Sequence, residues 1–442
     1  MSVLADTVAS LAESLLEDAI ADRRDLHQYP ETAWTEFRST ARVIRRLQRL
    51  GWEVRWGRSI FGDVPRMGLP GAAELQQAFD RALAEGAPPE LLQPMRDGYT
   101  GCIADLTGAS TDGPTVALRF DIDALPVTEA SDDAHQPAQE GYASRHAGQM
   151  HACGHDSHAA MGLGVASLLA AMRDQWSGRV RLIFQPGEEG TRGAAAMVAA
   201  GLLDGADYFL SPHVGAQSHV TGEIIPGITG FLATRKVDVS FLGREAHAGL
   251  APQEGRNALL AAALATMTIF AIPRHSGGNS RINVGVLRAG SGRNVIASEA
   301  QLQLELRGDS NEVVEYLEAQ ARAVVEGAAH SQGVESTFEV VGEAPSAASD
   351  PDVMEAVARV ARLMPGVREI GQPRRAEASD DATAMMRRVQ EQGGKAAYVI
   401  VGSQLPDGHH TPHFDIDEQV MAGGIGTLAG AALELLRRGR RS

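Results

Sequence analysis

Cysteine is scarce. Only Cys102 and Cys153 occur in 442 residues, which excludes a disulfide framework and points to a reducing compartment. A basic excess is also missing: the net charge is −16, so neither nucleic acid nor an anionic membrane surface fits as a partner. Long apolar runs are absent as well. The most apolar stretch, residues 258–272, falls short of the about 20 residues a membrane span needs and reads as a core helix. Leu4, Val8, Leu11 and Leu15 recur at helical spacing among acids, unlike the basic start and unbroken apolar stretch of a secretory leader. No internal repeat or low-complexity run occurs. What remains is a cytoplasmic globular protein, long enough for two or more domains. Its 44% hydrophobic and 22% charged residues are ordinary for that class.

Several short apolar runs end where chemically interesting residues begin. Thr115-Val-Ala-Leu-Arg-Phe runs into Asp121-Ile-Asp123, and Val180-Arg-Leu-Ile-Phe-Gln into Pro186-Gly-Glu188-Glu189. Tyr208-Phe-Leu leads to His213, and Ala397-Tyr-Val-Ile-Val to a His-rich loop. Helical patterns lie between the first three, over 158–172 and 194–201. Strands alternating with helices predict an α/β sheet, with its site at the strands' carboxyl ends. From Phe231 the pattern changes to strand 236–242, helix 257–272, strands 281–287 and 300–307, helix 312–328 and strand 336–341. That βαββαβ order predicts a ferredoxin-like α+β domain over 231–342, inserted between catalytic segments 1–230 and 343–442. Residues 60–100 read as a long insertion, either pocket-shaping or a plain surface excursion.

What is present in abundance is metal-ligand chemistry. Met150-His-Ala-Cys-Gly-His-Asp-Ser-His158 puts one thiol and three imidazoles within eight residues, and Gly154 lets the backbone turn sharply between Cys153 and His155. Glu188 and Glu189 follow a strand in a Gly-rich turn. Adjacent side chains diverge, so one carboxylate can ligate while the other acts as a base. Cys153, His155, Glu189, His213 and one of His409, His410 and His413 make a five-donor set sized for two metals. His27, His135, His146, His219, His275 and His330 show no converging partner.

Five motifs then carry a resemblance: Arg23-Arg-Asp-Leu-His-Gln-Tyr-Pro-Glu31, the Cys153 motif, Gln185-Pro-Gly-Glu-Glu-Gly190, Gly243-Arg-Glu-Ala-His-Ala-Gly249 and Gly292-Arg-Asn-Val-Ile296. Nearly end to end, the chain resembles the metallo-amidohydrolases related to hippurate hydrolase and the indole-acetyl-amino-acid hydrolases. Met67-Gly-Leu-Pro70, the insertion around it, Glu189-Gly-Thr-Arg-Gly193 and Ala289-Gly-Ser-Gly-Arg-Asn-Val295 carry a closer likeness to the aminobenzoyl-glutamate hydrolase branch. The resemblance implies a zinc-peptidase-like catalytic domain with a lid and dimerisation insert. It implies two divalent ions, manganese or zinc, bridged by Cys153 and completed by His155, Glu189, His213 and His410, with Glu188 as general base. His410 is preferred because the family's ligand immediately precedes a Ser/Thr-Pro pair. The wider clan has His-x-Asp where this chain has Asp121-Ile-Asp123, which leaves Asp121 and Asp123 supporting the ligands; Asp156, His158 and Asp381 are further candidates for that task. By likeness, His247 reaches a neighbouring protomer's site to stabilise an oxyanion, and Asn294 and Arg307 hold the substrate carboxylate.

The implied reaction is hydrolysis of an aromatic N-acyl amino acid, first p-aminobenzoyl-glutamate, a folate-breakdown product, to p-aminobenzoate and glutamate. Indole-3-acetyl-aspartate or another N-acyl amino acid is the alternative. With Cys153 engaged as a ligand and no base paired with it, a nucleophilic cysteine is disfavoured. A homodimer, or a heterodimer with a homologous subunit, is expected. The competing reading of another class is a non-catalytic subunit of a hetero-oligomeric hydrolase, against which the intact Glu188 argues. Residues 231–307 hold nine Lys/Arg against five Asp/Glu, an attraction for an acidic substrate within an acidic chain.

Overall fold

A computed structural model describes residues 2–376 and 378–438, which divide into two compact units. The larger is built from residues 2–230, 347–376 and 381–438, the smaller from Phe231–Ser346 with residues 378–380.

Helices α1 (Ser2–Ser14), α2 (Leu16–Gln28) and α3 (Phe37–Arg49) open the larger unit, followed by strand β1 (Glu53–Trp56). The stretch read as an insertion is itself ordered into α4 (Arg58–Phe61), α5 (Ala72–Ala84) and α6 (Pro89–Leu92). Next come β2 (Cys102–Thr107), β3 (Thr115–Asp121), α7 (Gln136–Glu140), α8 (His155–Ala171), β4 (Arg179–Gln185), α9 (Gly193–Ala199), β5 (Tyr208–Val214) and β6 (Glu223–Ile225). In the smaller unit β7 (Ala233–Leu242), α10 (Ala258–Phe270), β8 (Ser280–Ala289), β9 (Glu299–Gly308), α11 (Asn311–Gln332) and β10 (Glu335–Ala344) follow in βαββαβ order. The chain then completes the larger unit with α12 (Pro351–Ala361), β11 (Glu369–Ile370), α13 (Ala382–Glu391), β12 (Lys395–Val401) and α14 (Val420–Leu436).

The larger unit's sheet has the order β1-β2-β4-β3-β5-β12-β6-β11, and its central strands β4, β3, β5 and β12 run parallel. Central parallel strands are covered on both faces, which is why these read as unbroken apolar runs rather than alternations. Helices α8 and α14 are buried almost all round. Their close approach needs small residues: a Cβ at Gly164 would come 2.4 Å from Ile425 and one at Gly424 2.4 Å from Met161. Among the described residues no helix is long and apolar enough to cross a membrane.

The smaller unit pairs its strands as β10-β7-β9-β8, all antiparallel, with Leu302, Leu304 and Leu306 of β9 turned toward α10 and α11 and the intervening residues turned outward. Asn257 caps α10 by accepting from the Leu260 N–H, and Ser310 caps α11 at Val313.

A charged lattice ties the larger unit's distant segments together. Arg23, fully buried on α2, reaches Asp156 at 2.8 Å, Asp415 at 2.5 Å and Glu418 at 3.1 Å. His27, one turn on, meets Asp156 at 2.8 Å through Nδ1 and Glu129 at 2.8 Å through Nε2. His135 shares Glu129, and His146 meets Glu85 at 2.6 Å. Three histidines without visible partners in the sequence are therefore paired, by residues as far as 129 positions away that no local pattern marks.

Burial alone would lower the His27 pKa, but hydrogen bonds to Asp156 and Glu129 raise it to about 9 from an ordinary 6.5. A pKa raised by folding adds stability that is complete below about 6.5 and fades as pH climbs through about 9. The shift corresponds to about 3 kcal/mol. Denaturant titrations of the His27→Gln variant should therefore show a penalty larger by about that amount at pH 6 than at pH 10; a penalty independent of pH would refute the charged state.

Candidate metal centre

The donors are set out by the local backbone. Gly154 takes a left-handed φ of 90° just before α8, and a Cβ there would come 2.4 Å from Val214. The turn starts α8 at His155, three residues earlier than the sequence pattern suggests, so Cys153 and His155 flank the bend. Glu188 and Glu189 leave β4 in a turn whose N–H groups donate to both Asp123 carboxylate oxygens, at 3.0 and 2.9 Å. The Gly187 N–H donates to buried Glu36 at 2.8 Å. His213 lies within the end of β5 rather than beyond it. His410 sits after β12 with a left-handed φ of 65°, its N–H donating to the Ala152 carbonyl at 2.7 Å. That bond draws the C-terminal loop onto the cysteine loop.

These turns bring the five expected donors together as two triads sharing one atom. Cys153, His155 and His213 offer atoms within 4.8 Å of one another, and so do Cys153, Glu189 and His410. Cys153 Sγ lies 3.6 Å from His213 Nε2, and His410 Nε2 lies 3.3 Å from Glu189 Oε1. The outer nitrogens are already engaged: His155 Nδ1 faces the Asp123 carbonyl at 2.8 Å and His213 Nδ1 the Val214 carbonyl at 2.9 Å. In each ring Nδ1 is thus the donor to the main chain, and Nε2 is the atom left to face the cluster. His155 Nε2 and Glu189 Oε1 are buried without a hydrogen-bond partner. Buried polar atoms are ordinarily satisfied, so this pair fits the donor set of a cation. Thiol, imidazole and carboxylate together suit a divalent transition metal. Glu188 is buried beside the first triad, its Oε2 3.9 Å from His155 Nε2.

A neighbouring cluster, Asp121 with His155 and His158, is closed instead. The Val214 N–H donates to His158 Nε2 at 2.9 Å, while His158 Nδ1 donates to Asp121 at 2.5 Å, leaving neither nitrogen for a metal. The other Asp121 oxygen accepts from Arg119 at 2.5 Å. Fully buried Arg119 also reaches Asp381 at 3.0 Å, and Asp381 accepts from Gln185 and from the Ala194 N–H. Burial opposes charge on Asp121, but Arg119 and the two histidines hold its carboxyl well below the usual range. Burial pushes the Cys153 thiol up, and burial followed by His158 drives His213 well down. Burial would lower His155 too, yet the Asp121 charge lifts it well above its ordinary value. Neither Arg119 nor Glu36 stands out in the sequence as part of a site; the one visible signal for Arg119 is an arginine inside an otherwise apolar strand.

Within the smaller unit, His247 is exposed and its Nδ1 accepts from the N–H groups of Gly249 and Leu250, each at 3.1 Å. The proton must then sit on Nε2, which is a donor. The Ala248 N–H bonds to the Asn294 carbonyl, so these two candidate residues share a loop pair. Arg307 stands apart, at the far end of β9, with its guanidinium held by Glu305 at 2.8 Å.

Comparison with known proteins agrees with this architecture. The family model described as peptidase family M20/M25/M40 matches residues 117–434. An indole-3-acetyl-aspartic acid hydrolase of Enterobacter agglomerans is 45% identical, covering 95% of this chain and 96% of the relative. One of the subunits of the p-aminobenzoyl-glutamate hydrolase of Escherichia coli K12 is 44% identical, covering 93% and 94%. The crystal structure of an aminobenzoyl-glutamate utilization protein from Klebsiella pneumoniae superposes with a TM-score of 0.84 at 39% identity, over 97% of this chain and 98% of that one. A dinuclear metal-binding M20 peptidase of Bacillus subtilis gives 0.66 at 25% identity, over 96% and 99%.

Gly154 offers a direct check on the bend. The Gly154→Ala variant combines a left-handed φ with a methyl driven into Val214, and should lose about 2–4 kcal/mol of unfolding free energy. Stability equal to that of the parent protein would show that the bend is not constrained in this way.

Proposed function

This chain belongs to the M20/M25/M40 peptidase family, and we propose that it cleaves the amide of an aromatic N-acyl dicarboxylic amino acid, p-aminobenzoyl-glutamate first. The observation that carries this reading is the pair of donor triads meeting at Cys153 with Glu188 beside them. The substrate class follows from the names of the two relatives, whose substrates share a flat aromatic acyl group and an acidic amino acid. At 45% and 44% identity they do not separate the two compounds, so indole-3-acetyl-aspartate is the alternative. The likeness to the Klebsiella protein favours p-aminobenzoyl-glutamate.

In this scheme Cys153, His155, His213, Glu189 and His410 would together hold two divalent ions. When bound, two divalent ions acidify water and take up charge on the amide oxygen. Glu188 accepts the proton of the attacking water and delivers it to the departing nitrogen. His247, its Nε2 proton fixed outward by the two N–H groups on Nδ1, donates to the developing oxyanion of a neighbouring protomer. Asn294 and Arg307, near opposite ends of β9, hold the substrate's α-carboxylate from different protomers, Arg307 by exchanging Glu305 for it. Thiolate and imidazole donors favour zinc, while the family likeness admits manganese. Both cysteines are unpaired, in keeping with a cytoplasmic setting.

Assembly is proposed through the smaller unit. On α10, Leu260, Leu264 and Met267 form an exposed apolar stripe at helical spacing, with Met267 75% exposed. Beside it β8 is an edge strand with free pairing capacity. A second copy or a homologous chain fits this face, in keeping with the Escherichia coli relative, which is named as one subunit of its hydrolase.

Hydrolysis of both compounds by metal-loaded protein tests the function, and inactivity on each would refute the substrate class. Glu188→Gln should cut turnover by about 10²–10⁴-fold while metal content stays at two ions per chain; retained turnover would remove Glu188 from the base role. Met267→Asp should shift the protein toward monomer in light scattering and depress turnover with it. An unchanged oligomer would move the interface elsewhere.

A further inference from the structure

Several half-buried or buried arginines of the larger unit sit against carboxylates: Arg23, Arg38, Arg119 and Arg181 each meet one at 2.5–2.8 Å. Arg192 is half-buried and, among the described residues, meets none. Its Nη1 donates to the Gly68 carbonyl at 3.1 Å, and its Nε is buried without an acceptor. The guanidinium is wedged between two glycine backbones. A Cβ at Gly68 would come 2.6 Å from Nε, and one at Gly190 2.5 Å from the same atom. Both glycines adopt left-handed φ values, and so does the β-branched Thr191 beside Arg192, at 59°. A strained turn is held there to place a cation.

The interlock joins Met67-Gly-Leu-Pro70, to which the hydrolytic scheme gives no task, to Gly190-Thr-Arg-Gly193, the stretch directly after the donor Glu189. The first lies within the ordered excursion of α4–α6 and is held from either side of it: Trp34 Nε1 donates to the Met67 carbonyl at 2.9 Å, and Arg66 stacks on Tyr99 at 3.5 Å. Arg66 likewise meets no carboxylate among the described residues, its Nη2 donating to the Asp97 carbonyl instead. Two half-buried arginines with no carboxylate in contact among the described residues, in a chain of net charge −16, can accept an anion from outside. Gly190, against which the Arg192 guanidinium packs, directly follows Glu189 of the second donor triad. The α-carboxylate is present in every N-acyl amino acid and cannot discriminate among them. A second cation here can.

We infer that Arg192, seated between Gly68 and Gly190, is the specificity-determining residue that reads the side-chain carboxylate of a dicarboxylic N-acyl amino acid. The inference rests on the hydrolase reading and deepens it. The guanidinium's Nη protons not taken by Gly68 supply the charge-assisted hydrogen bonds. The two glycines hold the cation in place, and Arg66 adds to the local positive field.

The test compares p-aminobenzoyl-glutamate with p-aminobenzoyl-glutamine, equal in shape and different in charge, on the metal-loaded full chain. The parent protein should prefer the glutamate compound by about 10- to 100-fold in kcat/KM. Arg192→Gln should erase that preference by losing the glutamate compound alone, with metal content unchanged. Arg192→Lys should keep part of it, and Gly68→Ala, which drives a methyl into the guanidinium, should behave like Arg192→Gln. Equal losses on both compounds, or a preference that survives Arg192→Gln, overturn the inference. If the parent cleaves neither compound, the hydrolase reading fails separately. Calorimetric Kd values of the two compounds for parent and Arg192→Gln then decide the role of Arg192 by the same criterion.

Discussion

One aspartate organises the centre. The Asp123 carboxylate takes the N–H groups of Glu188 and Glu189, and its main-chain carbonyl takes the Nδ1 proton of His155. A single residue two positions past the end of β3 therefore fixes the direction of a base candidate, a carboxylate donor and an imidazole donor. Two N–H groups accepted by one carboxylate also explain how consecutive glutamates point apart reproducibly. Side chains on a free turn would sample many directions, and the entropy lost on binding a cation would fall on the site itself.

Around that residue the structure separates polar groups that are satisfied from those that are not. His158, Asp121, Arg119, Gln185 and Asp381 form a closed chain in which the named protons and lone pairs find partners. Buried charges are tolerable under those terms and costly otherwise. His155 Nε2 and Glu189 Oε1 stand against this background, buried and unmatched. Asp121 and Asp123 occupy the places where the wider clan has His-x-Asp, and both are consumed by protein partners. A cation could not be seated there without dismantling the chain, whereas Cys153 Sγ belongs to both donor triads.

Much of this was legible in the sequence, for physical reasons. Central parallel strands are apolar on both faces, so β3, β4, β5 and β12 announce themselves, and the smaller unit's alternation marks β7 and β9. The donors were legible because they are crowded near glycine turns or follow apolar runs. Strands β1 and β2 were not anticipated: they add antiparallel at one edge, and their sequences carry charges that blur the pattern. Nor was the supporting lattice. Arg119 meets Asp381 across 262 residues and Arg23 meets Asp415 across 392, and no local periodicity encodes such pairs. The N-terminal signature containing Arg23 and His27 stands out as a motif, but its task of clamping Asp156 next to His155 emerges only in three dimensions.

In the proposed scheme the smaller unit supplies the complementary half of the chemistry. A histidine usually leaves its tautomer to circumstance. Here two main-chain N–H groups on Nδ1 of His247 commit the proton to Nε2, on a residue exposed to solvent. Such a commitment has no value to an isolated surface, where water would serve equally well as donor or acceptor. It has value when a developing negative oxygen is brought to it and solvent is excluded, because a donor already oriented needs no reorganisation at that moment. The apolar stripe of α10 lies in the same unit, and burying it against a second chain offers the free energy to order such an encounter. Assembly and oxyanion stabilisation would then be one event, and loss of the interface would be felt as loss of catalysis even with both donor triads intact.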